Sequence, residues 1–220
     1  MKFNIRIALN ATPEQALRLL ALQQAFAEVC NAISPMVQQS RIWNRVALHH
    51  MAYKPMRERF PALGSQMVCN AIYSVSRSAR AVFQAPGSPF RLQRLGDRPL
   101  PKLHFENSAP VYFDRHTLSL KEGQLSMYTL DGRMRFKLDL APEVGQRFHH
   151  DKLREIVLAR VGPDFELRFR FDAPGDDEPA ALEDPDWPEY LVLLPENAAE
   201  PPAAIGRPAA TPPPQKEATP

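Results

Sequence analysis

The sequence predicts an α+β fold in which helices interrupt a set of short antiparallel strands. Residues 3–9 alternate apolar and polar side chains, which is typical of a half-buried strand. Residues 13–83 then carry apolar side chains at three- and four-residue spacing, which indicates amphipathic helices. From residue 102 onward, apolar and polar side chains again alternate at every second residue. We therefore expect a small antiparallel β-barrel with a helical insertion after its first strand.

The first helix has a clear start signal. Thr12 can cap it, Pro13 suits its first position, and Gln15 completes a capping box. We expect Ser34-Pro35 to interrupt or restart this helix, because the residue before a proline is driven out of the helical region.

Two further helices follow. Residues 44–60 predict a helix that Pro55 splits, since proline removes a backbone donor and clashes with the preceding turn. Residues 65–83 predict a third helix. The residues of its inward face are Met67, Ala71, Val75, Ala79 and Val82. Residues 84–101, rich in Pro, Gly and Arg, predict a loop.

Short strands are expected after the loop. The alternating segments are 111–113, 116–120, 124–130, 133–140, 153–161 and 165–171. Asp131-Gly132 predicts a hairpin turn between two of them, because both residues tolerate positive φ. Gly162-Pro163-Asp164 predicts another turn.

Charge divides the chain into a basic body and an acidic tail. Residues 1–172 carry 25 Lys and Arg against 15 Asp and Glu, whereas residues 173–220 carry 2 against 10. We expect residues 1–10 to form the first barrel strand, 11–100 the helical insertion and loop, and 101–172 the remaining strands. Residues 173–220 are expected to be an acidic, Pro/Ala-rich and mostly disordered tail. Its one apolar island, 191–194, could dock on the body or on a partner.

Several classes of protein are disfavoured. No run of about 18 apolar residues exists, so no membrane span is expected. There is no Cys-x-x-Cys pair, so we expect no zinc ribbon. We expect no metal site either, because the carboxylates of the acidic tail are not fixed on rigid elements, and we expect no cofactor. The start of the sequence is unlike a signal peptide, and we expect a soluble, cytoplasmic protein.

Cationic strand faces are the first candidate site. Arg133, Arg135 and Lys137 alternate with apolar residues, and Arg168 and Arg170 do the same on a later strand. Clustered cations repel one another unless an anion binds, and phosphate suits the guanidinium group. The alternative is a solvent-facing strand that its charges keep soluble.

A polar helix face is the second candidate site. It combines hydrogen-bonding groups, an aromatic ring and cations, a set suited to phosphate and base contacts. Its residues are Gln66, Asn70, Tyr73, Arg77 and Arg80. An ordinary exposed helix face would have the same pattern.

The chain resembles the TnpB family of transposon-encoded RNA-guided nucleases, relatives of type V CRISPR effectors. The resemblance covers about residues 1–172 and depends on the order and spacing of short segments. These segments are 47–53 with 57–60, 65–75, and 117–120 with 130–133. It implies a wedge domain with an oligonucleotide-binding-like barrel, interrupted by a helical recognition domain. Such a region would hold guide RNA and help to grip target DNA.

The catalytic half of that family is missing from this sequence. Where a RuvC-like nuclease would begin, residues 173–178 read Ala-Pro-Gly-Asp-Asp-Glu without a following apolar strand. We therefore expect no catalytic residues, and no enzyme activity from this chain alone. The expected function is binding of a structured, guide-type RNA and of DNA. The alternatives are a non-catalytic subunit completed by a separate RuvC-like nuclease chain, or a decayed transposon remnant.

Overall fold

A computed structural model describes residues 3–121, 123–150, 152–172 and 190–194. Its elements, in chain order, are β1 (Phe3–Leu9), α1 (Pro13–Ser40), α2 (Arg45–Arg59), α3 (Ser65–Phe83), α4 (Leu92–Leu95), β2 (Lys102–Phe105), β3 (Val111–Phe113), β4 (Leu118–Lys121), β5 (Gln124–Thr129), β6 (Gly132–Lys137), α5 (Pro142–His150), β7 (Lys152–Val161), β8 (Asp164–Asp172) and β9 (Leu191–Leu194).

The α+β class and the antiparallel pairing are confirmed, and the helices follow the first strand. β1 pairs with β8, so that Ile5 lies opposite Phe169. The N-terminal strand thus joins the last strand of the basic body, and α1 to α3 lie between them in sequence. This sheet has the order β1-β8-β7-β3. A second sheet pairs β2 with β9, and a third has the order β4-β5-β6.

The predicted closed barrel is not formed by the strands that the structure describes. β1 is paired only with β8, and β6 only with β5, so each leaves one edge unpaired. Closure requires every strand to have a partner on both sides. At the free edge of β6 the Arg135 carbonyl instead accepts a bond of 3.3 Å from the Gln15 side chain of α1.

The capping box of α1 is confirmed. The Thr12 hydroxyl accepts from the Gln15 backbone at 3.2 Å, and the Gln15 side chain accepts from the Thr12 backbone at 2.9 Å. The predicted break at Ser34-Pro35 is wrong, because α1 continues to Ser40. Ile33 and Val37 are buried on either side of the proline. This packing offsets the one helical bond that proline removes.

The predicted split of α2 at Pro55 is also wrong. Asn44 caps the helix by accepting from the backbone of Val46 and Ala47. Buried residues recur at four-residue spacing through the proline, at Leu48, Ala52 and Met56. α3 has the predicted bounds, and the five residues of its predicted inward face are buried.

Four elements were not predicted: α4, α5, β2 and β9. Leu191 and Leu194 of β9 are buried, and the strand pairs with β2, so the apolar island of the tail docks on the body. Asn31 of α1 holds β2 by exchanging two hydrogen bonds with the Phe105 backbone, at 2.7 and 2.9 Å. The other residues of the expected tail, 173–189 and 195–220, lie outside the described residues.

Candidate nucleic-acid interface

The third sheet, called here the meander sheet, separates apolar and polar side chains onto opposite faces. Met134 and Phe136 of β6 are buried, while Arg133, Arg135 and Lys137 are exposed. A hairpin connects β5 to β6 where it was expected, but its turn residues are Leu130 and Asp131, because Thr129 pairs with Gly132. Gly132 adopts a φ of 103°, which favours glycine, whereas the positive φ expected at Asp131 is wrong. The alternation expected from the sequence is therefore confirmed for this strand.

The outer face of the meander sheet is cationic and polar. Register places Ser119, Ser126 and Arg135 in one row across the three strands. Lys121, Gln124 and Lys137 form the next row. Tyr128 lies opposite Arg133 at the other end of the sheet. The described residues of this surface, called here the cationic face, include no carboxylate.

Arg133 is held in place by its neighbours. Its guanidinium carbon lies 4.2 Å from the centre of the Tyr128 ring, which is 43% exposed. The same guanidinium donates to the Ser126 hydroxyl at 3.1 Å and to the His116 carbonyl at 3.3 Å. A fixed guanidinium stacked on an exposed ring can contact a phosphate and a base together.

The turn of the meander sheet is anchored to α1. Arg18 forms an ion pair of 2.7 Å with Asp131, and the Thr129 hydroxyl also donates to that carboxylate at 2.7 Å. Hydrogen bonds from Thr129 and then from Arg18 lower the pKa of Asp131. The carboxylate of Asp131 is thus already satisfied by α1 and by its own turn.

An open groove of about 460 Å³ separates the unpaired edges of β1 and β6. Arg6 lines it from β1, Arg135 and Lys137 line it from β6, and the exposed Asp139, two residues beyond β6, lines it as well. The groove therefore extends the cationic face toward the first sheet, and cations flank it on both sides.

The first sheet adds a second group of arginines beside the groove. Arg6 of β1 lies directly opposite Arg168 of β8, and both side chains are exposed. Like charges placed directly opposite destabilise a strand pair. Arg168 is paired with Glu166, while Arg170, which is half-buried, lies opposite Asn4. The ion pair with Glu166 offsets part of the repulsion between Arg168 and Arg6.

The predicted helical face lies against the strands rather than in solvent. The Gln66 amide donates to Asp114 at 2.6 Å, and Asn70, only 5% exposed, donates to Thr117 at 3.5 Å. Tyr73 donates to Glu155 at 3.1 Å. Arg77 also pairs with Glu155. Two of the five predicted residues thus contact β7, and two contact the turn between β3 and β4.

Arg80 differs from those four residues because its side chain is exposed. The structure therefore does not bring the helical candidates and the strand candidates together on one surface.

Neighbouring groups outweigh burial in setting the pKa of Arg77. Burial lowers the pKa of Arg77, but Tyr112, Glu155 and Tyr73 raise it by more, so the net shift is upward. Burial also raises the pKa of Tyr73, and the Glu155 carboxylate raises it further. Arg77 therefore stays a cation between two neutral phenols and one carboxylate, which is a structural arrangement.

Four residues of the interface were absent from the sequence prediction: Arg6, Lys121, Gln124 and Tyr128. The period-two pattern could have found Lys121, Gln124 and Tyr128. It places Lys121 on the polar face of β4 and Gln124 and Tyr128 on the polar face of β5. Arg6 could be linked to the groove only through the spatial approach of β1 and β6.

No protein-family model matches the chain, and no curated protein matches it in sequence. Within the part of the chain that the structure describes, no cluster of three or more His, Cys, Asp or Glu residues could hold a metal ion. None of the described helices is both long and apolar enough to cross a membrane. The interface is thus defined by its own chemistry: cations, amides and one exposed aromatic ring.

Proposed function

We propose that this chain is a nuclease-less, TnpB-like protein that binds a structured, guide-type RNA, with DNA as a second contact. The observation that carries the proposal is the cationic face with its groove. Three cations on β6, together with Lys121 and Arg6, lie on strands, and they outnumber the one carboxylate among the described residues of that surface, Asp139 at the groove.

Phosphate is the ligand chemistry that fits these cations. Phosphate oxygens accept paired hydrogen bonds from guanidinium groups, and binding releases the counterions condensed on the nucleic acid. The groove between Arg6 and Lys137 could accept a strand backbone along its length. The stacked pair of Arg133 and Tyr128 suits an unpaired base, so the proposal favours a single-stranded segment within a folded RNA.

The topology supports a wedge-type domain as the finer description of the fold. β1 pairs with the last strand of the basic body, and the helices are inserted between the two in sequence. β1 and β6 lie on opposite sides of one groove with an edge free on each. We propose that this is an open form of an oligonucleotide-binding-like barrel, with the groove at the position where closure would occur.

The test compares RNA affinity over a range of salt concentrations for wild type and the variant Arg133→Ser/Arg135→Ser/Lys137→Ser. Each single-strand phosphate contact contributes a slope of about −0.7 in a plot of log affinity against log salt. The variant should lose up to about two contacts, hence up to about 1.4 in slope. Because these side chains point away from the core, circular dichroism should show an intact fold.

A matched control removes three exposed cations elsewhere, through Lys54→Ser/Arg59→Ser/Arg160→Ser. We expect this control to keep most of the affinity. A folded triple variant of β6 with unchanged affinity and slope would contradict the assignment of the cationic face. Sequencing of nucleic acid that co-purifies with the protein would separate RNA from DNA. A co-purifying RuvC-like chain would support the split-nuclease alternative.

A further inference from the structure

The segment of residues 84–101, called here the arginine loop, connects α3 to β2. It contains a single short helix, α4, and carries Arg91, Arg94 and Arg98. A fourth arginine, Arg41, lies against it at the end of α1.

Side chains of α1 hold the arginine loop in one conformation. Arg41 donates to the Gly96 carbonyl at 2.8 Å and to the Arg98 carbonyl at 2.5 Å. Gln38 donates to the Leu100 carbonyl at 2.9 Å. Arg41 also has a φ of 56°, a left-handed conformation that costs free energy for a residue other than glycine. The loop is therefore an ordered surface.

Its arginines are not neutralised by carboxylates within the described part of the chain. Arg41 and Arg98 donate only to backbone carbonyls, which leaves their charge uncompensated. The side chains of Arg91 and Arg94 make no hydrogen bond or ion pair with any described residue. The loop itself contains one acid, the exposed Asp97. Four cations therefore face one acid over a short surface.

The arginine loop and the cationic face contact opposite ends of α1. Gln15 and Arg18 touch the meander sheet, whereas Arg41 touches the loop. At 1.5 Å per residue, the helix separates these contacts by roughly 40 Å. A ligand that reaches both surfaces must therefore be an extended polyanion.

We propose that the arginine loop is a second RNA-backbone site, and that one RNA spans it and the cationic face. This inference rests on the proposed function. The loop's aromatic residue, Phe90, packs against the core. Contacts at the loop are therefore to phosphate, independent of base sequence and sensitive to salt.

The test uses two single-stranded RNA probes of uniform sequence, one of about 30 and one of about 6 nucleotides. At about 3.4 Å per nucleotide, roughly 12 nucleotides cover the distance between the two surfaces, so only the longer probe reaches both. The variant is Arg91→Gln/Arg94→Gln, which removes no side-chain bond to a described residue. The matched control is Lys54→Gln/Arg160→Gln, and both variants are compared with the wild-type full chain.

We expect the loop variant to weaken binding of the long probe on the order of tenfold and to lower its salt slope by about 1.4. Binding of the short probe should stay within about twofold of wild type, because that probe occupies the cationic face. Arg98→Gln, measured separately, should weaken the long probe as well.

The outcomes separate the two proposals. Equal binding of the long probe by wild type and loop variant overturns the second site, while the proposed function stands if the β6 variant still binds weakly. If the loop variant loses affinity equally for the long and the short probe, both probes bind the same surface, and the two-site model is overturned. Failure of wild type to bind either probe removes both proposals.

Discussion

At the residue scale, the pair of Arg133 and Tyr128 is the most specific feature of the interface. Arg133 is held in one position by the Ser126 hydroxyl, the His116 carbonyl and the Tyr128 ring. No such set of contacts holds the other two exposed cations of β6 among the described residues. A side chain that is ordered before binding loses less conformational entropy when its ligand arrives.

Replacement of Tyr128 separates base stacking from charge. Tyr128→Ala should weaken binding of single-stranded RNA by about 1–3 kcal/mol, the contribution of one base stacked on an aromatic ring. Tyr128→Phe keeps the ring and should bind almost as wild type does. The salt slope should hardly change in either variant, because no cation is removed. The measurement is affinity at several salt concentrations, and equal losses for Ala and Phe would argue against stacking.

At the element scale, the polar face of α3 serves to join the helices to the first sheet. Glu155 of β7 accepts a hydrogen bond from Tyr73 and forms an ion pair with Arg77. The Glu155 side chain is only 12% exposed, whereas that of Arg77 is 41% exposed. The helical spacing of the polar residues placed them on one face of α3, and the structure shows this face lying against strands and a turn. The sequence pattern could not reveal that strands β3 and β7 cover it, because that contact is made between residues about 80 positions apart.

Glu155→Gln tests this joint. The change keeps the volume but removes the charge that pairs with Arg77, and solvent at the half-exposed Arg77 limits the loss. We expect a destabilisation of about 1–2 kcal/mol, or a fall in Tm of roughly 2–8 °C. Glu58→Gln, at an exposed position of α2, is the control and should leave Tm unchanged. RNA affinity should stay at the wild-type level, and a fall without loss of stability would place Glu155 in the interface.

Truncation at two points tests the role of β9. A chain that ends at Pro195 retains the strand, and its Tm should match that of the full chain, since residues 196–220 lack an apolar pattern. A chain that ends at Glu189 loses Leu191 and Leu194, each 3% exposed. Burial of these side chains outweighs the entropy of ordering the strand, so we expect a loss on the order of 1–3 kcal/mol. Thermal melts with identical Tm for the two truncations would contradict a stabilising role of β9.

At the scale of the whole molecule, the sequence predicted those features that depend on contacts between residues close together in the chain. The capping box at Thr12, the hairpin before Gly132 and the bounds of α3 all follow from interactions within a few residues. The breaks expected at Pro35 and Pro55 were wrong, because the burial of Val37 and Met56 beyond each proline is a tertiary effect. The groove depends on the approach of β1 to β6, more than 120 residues apart, and no periodicity encodes that approach.

Absence of nuclease activity is the last expectation for the chain as a whole. Two-metal cleavage requires carboxylates fixed on rigid elements so that they hold two ions about 4 Å apart. No such cluster occurs among the described residues, and the acidic run that begins at Asp176 lies outside them, in a Pro-rich segment. The proposed function predicts that the purified protein leaves DNA and RNA intact with magnesium or manganese. Cleavage that follows the protein through successive columns, and that Asp176→Asn/Asp177→Asn abolishes, would show instead that the acidic segment assembles a catalytic site.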